Sequence, residues 1–253
     1  MKLFDPDPSI RWLFWMTHPD DEISICAWIK RLTDAKAPVY MAWTHSTPAR
    51  EREARAVAAR LGVAETRLHF FEAPDAEVIH NLDMLMPKFR SWIQHVNPDR
   101  ICCGAFEQGH LDHDATNLLV NLNFNGPVLE IPFYHAYLSS IQQFNRFSDP
   151  HGQEILHLSQ SEQKFKKNIA KCFPTQNIWS LLLWHEAYQV VKLRKIELAK
   201  SERMRLQTHR DFLTPNHPPR LCKRIAASPN WARWVEQVKP FLERQEERAM
   251  NIR

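Results

Sequence analysis

A chain of 253 residues, 44% of them hydrophobic, is long enough to bury a sizeable core and too apolar to remain disordered. Lys and Arg number 33 against 29 Asp and Glu, and the resulting net charge of +4 gives no sign of a nucleic-acid partner. The longest later apolar run, Trp179 to Trp184, is far too short to cross a membrane, and the opening residues are too interrupted by Asp and Pro for a signal peptide, so a cytoplasmic protein is expected.

From the N-terminus, short apolar runs alternate with helical patterns. Strands are predicted at 11–16, 38–44, 67–72, 100–105 and 127–131, and helices at 21–33, 48–61, 76–96 and 114–123, the second stopped by Gly62. This alternation predicts an α/β fold: a doubly wound, mostly parallel, Rossmann-like sheet of order 3-2-1-4-5 with right-handed crossovers. Beyond about Phe133 the pattern changes. Helices are predicted at 161–172 and 178–206, separated by Pro174, and at 230–247, after a turn or linker at 214–219. The expected organisation is a core at 1–160 carrying the site and a helical C-terminal extension at 161–253 packed on it. Between Lys164 and Arg224 there are 14 basic residues against 4 acidic ones, a local excess of +10 that reads as a solvated helix face and tail. Five cysteines, an odd set with no C-x-x-C pair, point to reduced thiols in a core and again to the cytosol.

In doubly wound sheets, ligands bind beyond the carboxyl ends of the strands where the strand order reverses. Here that point lies between the first and fourth strands, whose following loops begin at Thr17 and Phe106. A nicotinamide site is disfavoured, because the chain has only 5 glycines and no G-x-G-x-x-G after the first strand. The loops instead carry Thr17-His18-Pro19-Asp20-Asp21-Glu22 and Glu107-Gln108-Gly109-His110-Leu111-Asp112-His113-Asp114. Both supply imidazole and carboxylate, which suit zinc; three protein ligands and one open position make a catalytic site. Taken singly, the first loop could be a polar helix cap and the second a pair of satisfied histidines. Brought together at one switch point, they predict a metal centre.

With a HPDDE box after the first strand and an H-x-D-H box after the fourth, the chain resembles the LmbE/PIG-L family of zinc-dependent N-acetylglucosaminyl deacetylases. The resemblance covers about Arg11 to Ile131 and includes Arg50-x-x-Glu53 and Leu61-Gly62 on the second helix. It implies that His18, Asp21 and His113 ligate zinc, or another divalent ion such as iron(II), with Asp20 as general base. It further implies that His110 stabilises the oxyanion or protonates the leaving amine, and that Asp112 orients His110. Arg50 matches an arginine near the substrate, the alternative being an ion pair with Glu51 or Glu53. His135 is a candidate lining residue or a structural histidine, and Glu107 a support for the histidine loop. The implied partner is a small N-acetylated, sugar-like molecule; a different small amide, or a metal-holding protein without turnover, are the competing readings. The family's glycine-containing turn after the second strand is replaced by Thr44-His45-Ser46-Thr47-Pro48, and Gln108 and Leu111 stand where a small residue and proline are common. These departures alter the rim of the pocket and remove no ligand.

Overall fold

The computed structural model describes residues 2–135, 143–191 and 198–250. In chain order, β1 (Trp12–Met16), β2 (Val39–His45), β3 (Leu68–Ala73), β4 (Arg100–Gly104) and β5 (Val128–Ile131) alternate with α1 (Cys26–Asp34), α2 (Pro48–Leu61), α3 (Leu82–Val96) and α4 (Leu111–Asn123). There follow a short antiparallel pair, β6 (Tyr134–His135) and β7 (Gln143–Phe144), then β8 (Gln153–His157), α5 (Gln160–Ala170), α6 (Ile178–Val191), β9 (Ser201–Leu206), α7 (Pro219–Ala226) and α8 (Pro229–Met250). The main sheet has the order β3-β2-β1-β4-β5-β9-β8, parallel as far as β5 and antiparallel beyond it. The expected order 3-2-1-4-5 is thus present, and the reversal lies between β1 and β4.

The central strand shows why the sequence folds this way. β1 reads WLFWM and every residue of it is buried, because helices cover both faces of a parallel sheet. Trp12, Phe14 and Met16 pack with α1, α2 and α5 on one face, while Leu13 and Trp15 meet α3, α4 and α8 on the other. Helix α2 begins with Pro48 in its first turn, where Thr47 Oγ1 accepts from the Arg50 amide, and stops at Gly62, whose φ of 82° suits glycine. Among the described residues, no helix is long and apolar enough to cross a membrane.

Three sequence expectations are corrected. Of the predicted helix at 178–206, residues 178–191 form α6, 192–197 lie outside the described residues, and Ser201–Leu206 is the strand β9, inserted between β5 and β8. Its charges mislead a pattern reading because they are buried and paired. Glu202 accepts hydrogen bonds from the amides of Ala27 and Trp28 at 2.9 and 2.8 Å and from Lys166 Nζ at 2.9 Å, and Arg205 Nε donates to Glu130 at 2.6 Å. The predicted helix at 76–96 becomes a 3₁₀ turn, Val78–His80, and then α3, since the amides of Ala76 and Val78 are drawn to Asp112 at 2.8 and 3.1 Å. The predicted helix at 21–33 likewise divides into a 3₁₀ turn, Asp21–Ser24, and α1, whose N-terminal amides are the ones that Glu202 caps. Strand β8 and helix α7 were not expected.

Candidate active site

The loop after β1 is folded around one carboxylate. Asp21 Oδ2 accepts from the amides of Thr17 and His18, each at 2.8 Å, and this fixes the turn. Its other oxygen, Oδ1, is buried without a hydrogen-bond partner and lies 3.6 Å from His113 Nε2. His18 Nδ1 is 3.0 Å from the same His113 nitrogen. Two imidazole nitrogens and an unpaired carboxylate oxygen therefore converge, although 95 residues separate the histidines. His110 completes the group: suitable atoms of His18, His110 and His113 lie within 4.8 Å of one another.

The far side of His18 is held by acids. Its Nε2 is 3.3 Å from Asp75 and 3.5 Å from Asp112, so this nitrogen carries the proton and Nδ1 turns towards His113. Burial alone would lower the pKa of His18, but Asp112 and Asp75 outweigh it and raise it to about 10. A divalent ion on the His113 side of the ring would take the place of a proton on Nδ1. Burial, together with His18 and His110, pushes His113 well below the usual histidine range, which leaves it a neutral imidazole suited to ligation. A buried carboxylate oxygen with no partner beside two such rings is the donor chemistry of a divalent metal site.

Asp20 occupies a strained position, with φ 127° and ψ −20°, a region that residues other than glycine rarely enter. Its amide donates to Glu22 Oε2 at 2.9 Å, and that buried carboxylate also receives the Trp43 indole N–H at 3.4 Å. Burial raises Glu22 to about 7. Asp20 itself is raised well above the ordinary range by burial and by the neighbouring Asp21.

At the start of α4, His110 Nδ1 accepts from the Asp112 amide at 3.2 Å. Accepting at Nδ1 leaves the proton of the neutral ring on Nε2, where it can be donated to a ligand. Burial and the neighbouring His18 lower the pKa of His110, in keeping with that neutral form. The Asp112 carboxylate does not reach His110; it binds Ala76 and Val78 and faces His18 Nε2. Asp112 orients a different histidine from the one expected.

Support for this loop comes mainly from Asp114, which the sequence reading did not single out. Its Oδ1 accepts from the amides of Glu107 and Gln108, both at 3.1 Å. From outside, His217 Nε2 donates to the Glu107 carbonyl at 2.8 Å, and Glu130 receives the Phe106 amide at 3.0 Å. Phe133, after β5, packs edge-on against His113 with ring centroids 5.0 Å apart. It lies close over Gly104, where a Cβ would come within 2.5 Å of its ring.

Arg50 pairs with neither Glu51 nor Glu53. Its Nη1 lies 3.4 Å from Asp75, and its Nη2 donates to Gln176. Asp75, half exposed, thus links His18 to Arg50, and His18 foremost holds its carboxyl well below the usual range. His45, the last residue of β2, donates from Nδ1 to the Ala73 carbonyl at 2.7 Å and places Nε2 3.9 Å from Asp75. Asp75 and His45 were missed; the available signal was their position at the carboxyl ends of β3 and β2, the same edge that carries the two boxes. His135 lies in β6, and its side chain is outside the described residues.

Residues 13–122 match the sequence profile of the PIG-L family, described as GlcNAc-PI de-N-acetylase. No curated protein matches the chain. Among solved structures, the chain is similar to the zinc-inhibited form of teicoplanin deacetylase Orf2, with 16% identity over 78% of this chain and 97% of that one and a TM-score of 0.57. It is similar also to the N,N'-diacetylchitobiose deacetylase of Pyrococcus horikoshii, at 16% identity, coverage of 82% and 87%, and a TM-score of 0.54. A third is GalB, the 4-carboxy-2-hydroxymuconate hydratase of Pseudomonas putida KT2440, at 13% identity, coverage of 79% and 98%, and a TM-score of 0.51. Likeness at this level is a likeness of fold. The presence of a hydratase beside deacetylases means that the reaction has to be argued from the site.

Proposed function

We propose, from the match of residues 13–122 to the PIG-L family model, that the protein is a metal-dependent hydrolase that removes the acetyl group from the nitrogen of an amino sugar or glycoside. The observation that carries the reading is the convergence of His18 Nδ1, His113 Nε2 and the unpaired Asp21 Oδ1 beside the strained Asp20. His18, Asp21 and His113 hold the ion, for which zinc fits the mixed nitrogen and oxygen donors. When bound, the ion supplies Lewis acidity to the amide carbonyl and lowers the pKa of water from about 16 towards about 7.

The chain's own groups do the rest. Asp20 takes a proton from the attacking water, its carboxyl held above the ordinary range by burial and by Asp21. His110 donates an Nε2 hydrogen bond to the oxygen on which charge develops and stays neutral, while the proton taken up by Asp20 passes to the departing nitrogen. Asp112 and Asp75 fix the ring of His18, and a ligand histidine anchored by carboxylates is a stronger and better oriented donor. Arg50 and Asp75 offer a donor and an acceptor to substrate hydroxyls at the β2–β3 side.

The test is acetate release from a panel of N-acetyl sugars, nucleotide sugars and acylated amino acids by the zinc-loaded enzyme. Asp20→Asn should keep its zinc and lose about 10²–10⁴-fold in rate, the usual contribution of a positioned base. His113→Ala should lose the metal. Full activity in the first variant, or stoichiometric zinc in the second, overturns the corresponding assignment.

A further inference from the structure

The groups around the proposed metal centre are divided by polarity along the sheet edge. Arg50, Asp75 and His45 follow or end β2 and β3, on one side of the β1 and β4 boxes. On the other side, beyond β5, stands Phe133, which lines the small pocket containing His110 and His113. The same Phe133 is a wall of a cavity of about 310 Å³, whose apolar lining includes Ile23, Phe144, Ala170, Trp179 and Leu182. A volume of this size lies within the about 300–1,000 Å³ of small-molecule sites. Ile23 and Ser24, which also line it, directly follow the first box in sequence. Lys166 contributes its alkyl stem, because its ammonium is bound to Glu202 and to the Ser24 carbonyl.

An amide placed over the centre has its amine half on one side of the carbonyl carbon and its acyl half on the other. The polar residues suit the sugar that bears the nitrogen. The apolar cavity shares the Phe133 ring with the pocket of His110 and His113, and an acetyl group is far too small to fill it. Resting on the hydrolase reading above, we propose that the acyl groups accepted extend beyond acetyl to an N-linked aliphatic chain of about six to ten carbons, which enters past the Phe133 ring and lies between α5, α6 and the Ile23 turn. Hydrolysis adds water across the bond, so the carbon chain leaves as a carboxylate and the nitrogen as an amine, with no other reactant needed.

Two measurements separate this proposal from the reading on which it rests. Calorimetry on zinc-loaded Asp20→Asn compares the binding of N-acetyl-, N-hexanoyl- and N-octanoylglucosamine. Each buried methylene is worth up to about fourfold in affinity. Binding of the octanoyl compound at least about tenfold tighter than that of the acetyl one supports the cavity assignment. Ala170→Phe, which fills the cavity from α5, should bring that ratio close to one. Leu182→Trp, on the half-exposed face of α6, serves the same purpose without burying a large residue in the core. Octanoyl binding no tighter than acetyl, or a preference that survives both substitutions, overturns the assignment. The wild-type enzyme is then assayed for carboxylate release from the same amides. Turnover of none of them overturns the hydrolase reading, while the calorimetry still judges the cavity by itself.

Discussion

Glu202→Ala removes a carboxylate that holds two backbone amides and a buried ammonium. In the folded chain it is fully buried, accepts from the amides of Ala27 and Trp28 at 2.9 and 2.8 Å, and binds the Lys166 ammonium at 2.9 Å. Its loss leaves two donors at the start of α1 without an acceptor, each costing about 1–3 kcal/mol, and a buried ammonium with the Ser24 carbonyl as its remaining acceptor. Breaking a buried ion pair from one side costs about 3–5 kcal/mol, and since all three contacts end on one group these terms overlap rather than add. The expected loss is therefore about 3–5 kcal/mol. In a chain of this length each kcal/mol moves Tm by about 2–4 °C, so scanning calorimetry should show a fall of about 6–20 °C. The double variant Glu202→Gln, Lys166→Met removes the unpaired ammonium and should recover part of the loss. A Tm for Glu202→Ala within about 2 °C of the parent refutes the assignment of Glu202 as an interior cap.

Asp112→Asn should weaken zinc binding about 10- to 100-fold in a chelator competition, because the anchor of His18 loses its charge; unchanged affinity would mean that Asp75 alone holds the ring. Gly104→Ala forces the Phe133 ring away from a Cβ that would otherwise lie 2.5 Å from it, and a loss of about 1–3 kcal/mol should appear as a lower urea midpoint. The Arg31 guanidinium holds Glu162 down to about 2 through contacts of 2.6 and 3.0 Å. Because the folded-state value is the lower one, this bridge between α1 and α5 contributes in full above the ordinary glutamate range and fades as pH falls from about 4.5 towards 2. Thermal unfolding of Glu162→Gln should accordingly differ from the parent at pH 6 and converge with it near pH 2, and a constant difference across that range would count against the bridge.

The first five strands were legible because both faces of the sheet are covered and their apolar runs are unbroken, as in WLFWM. The two boxes were legible because histidine and paired acids directly after such strands have few other uses. Strand β9 was not, since Glu202 and Arg205 find their counter-charges in Lys166 and Glu130, far away in sequence, and a charged run without visible partners reads as a solvated helix. The same limit explains Asp112. The family resemblance implied His110 as its partner, whereas folding brings His18, 94 positions away, to its carboxylate. Arg50 follows the pattern too: Glu51 accepts from Ser46 and Glu53 from Thr175, which leaves the arginine to Asp75.

Strand β9 ties down both active loops. Glu202 fixes the helix that continues the first box, and Arg205 fixes Glu130, which receives the Phe106 amide at the start of the second. Both braces lie roughly 80 residues beyond the family-matched block. At translation rates of about 5–20 residues per second, the second box waits about 5–18 s for Arg205 and the first about twice as long for Glu202.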